Sequence, residues 1–214
     1  MTDSALHPVI TTLVFDFGGV VQELMDEAII QTLATTLGVP LAQFVPHYDK
    51  ALPEVQTGRL SEDKFLADLN QLSGNAAHTL SRDLLVGPFV DGSHLYPEMT
   101  ALLDELKEKD VEIVVLSNTI PSHAQLNRQR DNYRWFGHNV FLSCEIGLLK
   151  PKSESFLYVA KHLARRQEQL VLIDDQDKNI SGARSVNMTA VKHDSKTMPI
   201  GDLRAALRSL GIPT

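Results

Sequence analysis

Residues 12–20 of the 214-residue chain read TLVFDFGGV, an apolar run that ends in an aspartate and two glycines. A short apolar run bounded by turn residues predicts a buried β-strand, and glycines let the backbone approach a ligand closely. Because ligands bind at the carboxyl ends of strands in open α/β sheets, Asp16 is the first candidate functional residue. The alternative is an aspartate that only caps or turns the chain.

The chain alternates between helical and strand patterns from Pro97 onward. Near-continuous apolar strands are predicted at residues 111–116, 140–142 and 170–173, with a short fifth strand at 189–191. Helices are predicted from residue 97 and around residues 122–130, 153–164, 179–185 and 202–210. Continuous apolar strands separated by helices predict a parallel sheet that is covered on both faces.

Residues 22–91 show helical periodicity and no obvious strand. The first helix of this segment is expected to end at Gly38, and a second to begin near Ser61, with carboxylates in its first turn. A weaker helical pattern covers residues 76–86.

The chain is therefore expected to form two domains. The α/β core would comprise residues 1–21 and 92–214, and residues 22–91 would form an inserted helical cap. A cap placed directly after the first strand can close over the end of that strand and exclude water. The alternative is a helical decoration without such a role.

Composition is that of an ordinary globular protein, with 43% hydrophobic and 22% charged residues. The formal net charge of -7 argues against a nucleic-acid partner, since phosphate backbones require clustered Lys and Arg. A single cysteine, Cys144, excludes an internal disulfide and suits a reducing compartment. The first residues include Asp3 and resemble no signal peptide, and no apolar run is long enough to span a bilayer. We expect a cytoplasmic protein, whose oligomeric state the sequence leaves open.

Three further polar clusters follow predicted strands or loops. Ser117 and Asn118 follow the second strand, Asp174 and Asp175 follow the fourth, and Lys150 lies in a loop between them. Taken singly, each has an ordinary explanation as a turn or a solvated charge. Four such clusters at successive strand or loop ends are much less expected by chance than one.

The acidic pair indicates a cation. Asp174 and Asp175, with Asp177 close behind, repel one another unless a positive charge is near, and hard oxygen ligands suit Mg²⁺ or Ca²⁺. A calcium loop starting at Asp175 is rejected, because Ile180 stands at the turn glycine and Val186 at the bidentate Glu. Mg²⁺ held by few carboxylates and a substrate phosphate is the better interpretation.

Together these residues suggest phosphoryl chemistry. Asp16 would act as a nucleophile on a phosphate dianion, which requires cations to offset the repulsion. Mg²⁺ bound by Asp16 and Asp175, together with Lys150, would supply that charge. Ser117 Oγ and the backbone N–H of Asn118 would bind phosphate oxygens of a small phosphorylated substrate.

Four motifs in this order resemble those of the haloacid dehalogenase superfamily, whose members are mostly Mg²⁺-dependent phosphatases. The resemblance covers residues 14–191. Its pieces are FDFGGV at 15–20, LSN at 116–118, GLLKP at 147–151 and IDD at 173–175, followed by Asn179, Ala183 and Arg184. The resemblance implies a doubly wound, Rossmann-like, five-stranded parallel sheet with an inserted helical cap.

The resemblance also implies roles for individual residues. Asp16 would be both nucleophile and metal ligand, and Gly18 would give its backbone carbonyl to the metal. Asp175 would be a direct ligand, with Asp174 orienting the site and Asn179 beside it. The phosphoryl group would be held by Ser117 and Lys150.

One departure concerns the residue two positions after the nucleophile. Most family phosphatases have a second Asp there, acting as general acid and then base, whereas Gly18 cannot transfer a proton. The spelling DFGGV resembles the subgroup near bacterial α-glucose-1-phosphatases and the amino-terminal domains of epoxide hydrolases, where a glycine occurs in active enzymes. We therefore expect leaving groups that depart without strong protonation, as in anomeric sugar, acyl or aryl phosphates.

Two other functions stay open. The first is carbon–halogen cleavage with the same nucleophile, which needs no metal and would leave the acidic pair surplus. The second is a phosphate-binding module that has lost turnover. In the cap, the candidates for contact with the leaving group are Glu23, His47, Tyr48, Arg59 and Lys64.

Overall fold

The computed structural model describes residues 9–74 and 77–214; Asp3 and residue 76, the start of the predicted helical pattern at 76–86, lie outside the described residues. Its centre is one sheet of five parallel strands in the order β3-β2-β1-β4-β5. The strands are β1 (Thr12–Phe15), β2 (Glu112–Ser117), β3 (Val140–Leu142), β4 (Leu170–Asp174) and β5 (Thr189–Lys192). The predicted five-stranded parallel sheet is confirmed.

Helices occupy most of the chain between the strands. In the described residues they are α1 (Asp26–Leu37), α2 (Leu41–Gln56), α3 (Glu62–Asn70), α4 (Arg82–Gly92), α5 (Pro97–Glu108), α6 (Pro121–Gln129), α7 (Ser143–Ile146), α8 (Ser153–His162), α9 (Asp177–Arg184) and α10 (Ile200–Ser209). Strand β1 shows how they cover the sheet, because successive side chains point to opposite faces. Phe15 packs in one apolar cluster with Met99 of α5 and Leu203 of α10, whereas Val14 packs in another with Phe156 of α8.

Helices α1 to α4 lie between β1 and β2 in the chain and bury an apolar cluster of their own. Leu33, Phe44, Phe65 and Leu85 represent the four helices in this cluster, and Ile120, just before α6, joins it. The inserted helices are therefore packed against α6. The domain boundaries at residues 21 and 92 stay a prediction.

Helix boundaries in the insertion were predicted unevenly. Gly38 ends α1 at a positive φ of 67°, and Ser61 Oγ caps α3 by accepting a hydrogen bond from the Lys64 backbone N–H at 3.2 Å, as expected. The weak helical prediction over residues 76–86 was misplaced, because α4 begins at Arg82 and continues through Pro88.

The sequence did not single out helix α2. It contains Pro46 and Pro53, and a proline inside a helix removes a backbone hydrogen bond. The helix forms nevertheless, because it buries Phe44, Tyr48 and Val55 against its neighbours. Tertiary packing outweighs local propensity here.

Within the described residues, no single helix combines the length and apolar character needed to cross a bilayer. Helices α1 and α2 meet those requirements only as a pair, which is bent by 119°. In the structure, Ile29 and Leu33 of this pair are buried in the insertion's own apolar cluster.

Candidate active site

The strand register brings the predicted site residues to one edge of the sheet. Phe15 of β1 lies opposite Val115 of β2 and Ile173 of β4. Because the strands are parallel, Asp16 and the carboxyl ends of β2 and β4 emerge at the same edge. Each of the three elements therefore delivers a polar side chain to this edge.

Lys150 links two of these carboxylates. Its Nζ lies 2.8 Å from Asp16 Oδ1 and 2.7 Å from Asp174 Oδ2, and the residue is only 3% exposed. Asn118 fastens the Lys150 backbone, because its Nδ2 donates to the Lys150 carbonyl at 2.8 Å and its Oδ1 accepts from the Lys150 N–H at 3.0 Å. The Asn118 side chain thus positions Lys150, while the predicted phosphate contact through its backbone N–H stays a prediction.

Three carboxylates converge beside this lysine. Asp16, Asp174 and Asp175 each offer an oxygen, and these oxygens lie within 4.8 Å of one another. Asp174 Oδ1 accepts hydrogen bonds from the Gln176 N–H at 2.9 Å and from Asn179 Nδ2 at 2.9 Å. Asp174 Oδ2 accepts from Asn179 Nδ2 at 3.1 Å and from Lys150 Nζ. This arrangement holds Asp174 in a fixed orientation.

Asp175 differs from Asp174 in having an unsatisfied oxygen. Its Oδ1 is enclosed and has no hydrogen-bond partner among the described residues. Gly19 makes room for this carboxylate, since a Cβ at Gly19 would lie 2.6 Å from Asp175 Oδ2, and the φ of +82° also favours glycine. A buried carboxylate oxygen without a partner, beside two more carboxylates, is a donor set that fits a hard divalent cation.

The charges in this cluster are unbalanced, because three carboxylates face one ammonium group. Burial raises the pKa of Asp16 well above its ordinary value; Lys150 opposes the rise, and Asp174 and Asp175 add to it. Burial, followed by the charge of Asp174, raises the pKa of Asp175 to about 6. Burial alone would lower the pKa of Lys150, but Asp16 and Asp174 outweigh it and hold that pKa above its ordinary value. An added cation would complete the balance.

A cavity of about 250 Å³ opens in front of this cluster. Asp16, Gly18, Ser117, Asn118, Lys150 and Asn179 line its inner end. Met25, just before α1, Tyr48 of α2 and Phe89 of α4 line its outer walls. The site therefore lies between the sheet edge and the inserted helices.

The structure separates the five cap candidates. Glu23 and Tyr48 line the cavity, whereas His47, Arg59 and Lys64 are not among its lining residues. Those three are exposed and engaged locally, His47 with a carbonyl of its own helix at 3.0 Å and the other two with nearby carboxylates. These three candidates therefore have no place in the cavity lining, and only Glu23 and Tyr48 remain as candidates for contact with the leaving group.

The sequence did not identify several cavity residues as site residues, among them Gln22, His123, Asn127 and Tyr133. His123 and Asn127 are four residues apart on α6 and so share a helix face. The only available signal was this spacing in the helix after the second motif. Tyr133 is buried and also reaches the cavity.

Comparison with known proteins agrees with the motifs. The family model of haloacid dehalogenase-like hydrolases matches residues 10–187. Glyceraldehyde 3-phosphate phosphatase of Methanopyrus kandleri is 29% identical over 98 residues, which are 45% of this chain and 42% of that protein. The match covers less than half the length of this relative and of two further curated relatives.

Two solved structures show the same fold. A HAD-like family hydrolase from Porphyromonas gingivalis superimposes with a TM-score of 0.76 at 24% identity, over 94% of this chain and 99% of that one. A HAD family enzyme from Bacteroides thetaiotaomicron, in complex with magnesium and inorganic phosphate, gives a TM-score of 0.72 at 19% identity, over 91% and 98%. The predicted family is confirmed, whereas the predicted subgroup stays a prediction. The family model matches most of this chain, and the sheet and the order of the four motifs agree with it. This chain belongs to the haloacid dehalogenase-like hydrolases.

Proposed function

We propose that the protein is a Mg²⁺-dependent phosphomonoester hydrolase that transfers the phosphoryl group of a small metabolite to Asp16. The observation that carries this proposal is the convergence of Asp16, Asp174 and Asp175 around Lys150, with Asp175 Oδ1 left unsatisfied. Hydrolysis of phosphate esters requires a nucleophile and cations that offset the repulsion between anions. This cluster offers both.

The proposed reaction has two steps, in which residues of this chain act as nucleophile and as phosphate ligands. An oxygen of Asp16 attacks phosphorus, the bond to the leaving oxygen breaks, and that oxygen departs with the electron pair and takes a proton from solvent. Lys150 and Ser117 hold the phosphoryl oxygens during this transfer. Water then attacks the phosphorus of the aspartyl-phosphate, the bond to Asp16 breaks, and inorganic phosphate leaves.

Asp16, Asp175 and the Gly18 carbonyl would hold the metal, with Asp174 and Asn179 keeping the site in shape. Bound Mg²⁺ would neutralise charge on the phosphate and polarise the reacting P–O bond. Support comes from the unsatisfied Asp175 oxygen and from the related enzyme that binds magnesium and phosphate.

The proposed function is tested by a screen for phosphate release over many phosphorylated metabolites, with Mg²⁺ and with chelator. Metal-dependent phosphate release supports the proposal. Metal-independent halide release from a 2-haloacid would indicate a dehalogenase, and phosphate binding without turnover would indicate a binding module. Either of those results would replace the proposed function.

Gly18 leads to a prediction about the leaving group. Because Gly18 supplies no general acid, kcat/KM for glucose 1-phosphate is expected to exceed that for glucose 6-phosphate by at least about tenfold, given that acid–base help is worth roughly 10²–10⁴. Initial rates under identical Mg²⁺ and pH conditions measure this ratio. Equal rates, or a preference for the 6-phosphate, would count against the argument.

Magnesium is expected to raise the melting temperature more at pH 8 than at pH 5. In the metal-free protein the pKa of Asp175 is raised to about 6. The stability that the protonated Asp175 carboxyl contributes to the fold is therefore lost as the pH rises through that value. Mg²⁺ requires the ionised carboxylates and therefore binds better above pH 6. At a hundredfold excess over Kd the expected rise is roughly 5–10 °C.

Differential scanning calorimetry at both pH values, with Asp175→Asn as the comparison, measures this effect. The variant should lose most of the Mg²⁺-dependent rise at pH 8. A rise that is equal at both pH values, or that persists in the variant, would remove Asp175 from the metal site.

A further inference from the structure

Beyond the acid–lysine cluster, the cavity wall contains a histidine of fixed tautomer. His123 Nε2 lies 2.9 Å from the carbonyl of Leu85, and because a carbonyl only accepts, Nε2 must carry the proton. The ring stacks on Phe89 with centroids 4.1 Å apart, which fixes its plane. In the neutral ring Nδ1 is then an acceptor. It has no partner in the described part of the chain and is not enclosed, so it is open to a ligand in the cavity.

Two tyrosines that line the same cavity keep a hydroxyl proton to donate. Asn127 exchanges two hydrogen bonds with Gln22, at 3.0 and 3.1 Å, and its Nδ2 also donates to the Tyr133 hydroxyl at 3.5 Å. The Tyr133 oxygen thus acts as an acceptor within the protein, and its own proton has no acceptor among residues 9–74 and 77–214. Tyr48, from α2, likewise has no partner for its hydroxyl there, and that oxygen is not enclosed.

Both tyrosines remain protonated at neutral pH. Burial raises the pKa of Tyr48 and of Tyr133 well above the ordinary phenol value. Burial also lowers the pKa of His123, which keeps its ring neutral. Besides the apolar Met25, Leu52 and Phe89, the inserted segment contributes the polar side chains of Glu23, Asp26 and Gln56 to the cavity lining. Beside these groups, His123 presents one neutral acceptor and each tyrosine presents one neutral donor to the cavity.

We propose that His123, Tyr48 and Tyr133 bind hydroxyl groups of the leaving alcohol, and that the substrate is a phosphorylated sugar. A hydroxyl both donates and accepts, so it can satisfy the His123 acceptor and a tyrosine donor together. A leaving group without hydroxyls would displace the water that can reach these polar atoms and would give them no partner in return, which lowers affinity. The inference rests on the proposed function and selects, among anomeric sugar, acyl and aryl phosphates, the hydroxyl-bearing class.

The test measures binding in the Asp16→Asn protein with Mg²⁺, so that it does not depend on turnover. The ligands are glucose 1-phosphate and glycerol 1-phosphate, which bear hydroxyls, and phenyl phosphate, which bears none. We expect Tyr133→Phe and Tyr48→Phe each to raise Kd for the hydroxyl-bearing ligands about tenfold, the loss of one good hydrogen bond, with phenyl phosphate changed less than about twofold. His123→Phe, which preserves an aromatic ring against Phe89, should do the same.

Tyr158→Phe is the matched control, because Tyr158 lies on α8, is exposed and does not line the cavity. It should leave all three dissociation constants unchanged. Equal weakening of all ligands by the cavity variants, or tighter binding of phenyl phosphate than of both hydroxyl-bearing ligands, would overturn the inference. If binding follows the expected pattern while the protein with Asp16 intact releases no phosphate, the proposed function fails and the hydroxyl site stands.

Discussion

Asp16→Asn is expected to reduce phosphate release more than about a thousandfold, in line with the loss of other enzymatic nucleophiles. An amide of the same shape cannot attack phosphorus, while the backbone N–H of Phe17 can still donate to its oxygen as it does to Asp16 Oδ1 at 2.6 Å. Phosphate release on the best substrate of the screen measures the effect. Activity that survives the change would remove Asp16 from the proposed role.

The same variant should not be less stable than the original protein in the absence of metal. Burial and the neighbouring carboxylates raise the pKa of Asp16, so its charge is held at a cost that the amide avoids. Asp177→Asn is the matched control, since Asp177 is exposed and pairs with Lys192 at 2.7 Å rather than with the cluster. The Asp177→Asn control should keep both its activity and its melting temperature. A change in either quantity would indicate a general effect of losing a negative charge.

The sheet and its polar edge were predictable because their signals are local. An apolar run that ends in Asp16, or in Asp174 and Asp175, identifies both a buried strand and the residue at its carboxyl end. Parallel pairing then brings such ends together without further information, and the register of β1 with β2 and β4 does so. Sequence alone therefore sufficed to name the residues that meet around Lys150.

The cavity wall was not predictable, because it depends on how the inserted helices pack against α6. His123 faces the cavity through its bond to the Leu85 carbonyl and its stack on Phe89, both of which belong to α4. Contacts between residues about 35 positions apart leave no periodic trace in a single sequence. The same reason explains why the sequence could not orient Arg59: its type is suitable, but only packing decides which way the segment between α2 and α3 presents it.

Helix α2 shows the opposite limit, where a local rule misleads. Pro46 and Pro53 argue against a continuous helix, yet the segment is helical from Leu41 to Gln56. Burial of Phe44 and burial of Tyr48 each contribute about 1.5–3 kcal/mol to the stability of the fold. Each contribution is comparable to the cost of roughly 3 kcal/mol expected for one proline inside a helix. Since Tyr48 also lines the cavity, this helix is needed to complete the site.

Lys150→Met is expected to lower both activity and stability. Methionine fills a similar volume but leaves Asp16 and Asp174 without the ammonium group that lies 2.8 and 2.7 Å from them. Removing one partner of a buried ion pair typically costs about 3–5 kcal/mol, which is roughly 10 °C in melting temperature for a chain of this length. If Lys150 holds the phosphoryl group as proposed, its loss should reduce kcat about a hundredfold or more. Lys161→Met, on the exposed side of α8, should change neither quantity.

A double variant separates the electrostatic role of Lys150 from simple packing. If its main task is to offset the buried carboxylates, Asp16→Asn should restore part of the stability lost in Lys150→Met, because one of the two unpaired charges is then gone. We expect Asp16→Asn with Lys150→Met to melt several degrees above Lys150→Met alone in metal-free buffer. Additive losses would mean that the lysine supports the fold through packing of its methylene groups, and the charge balance argued for this site would be wrong.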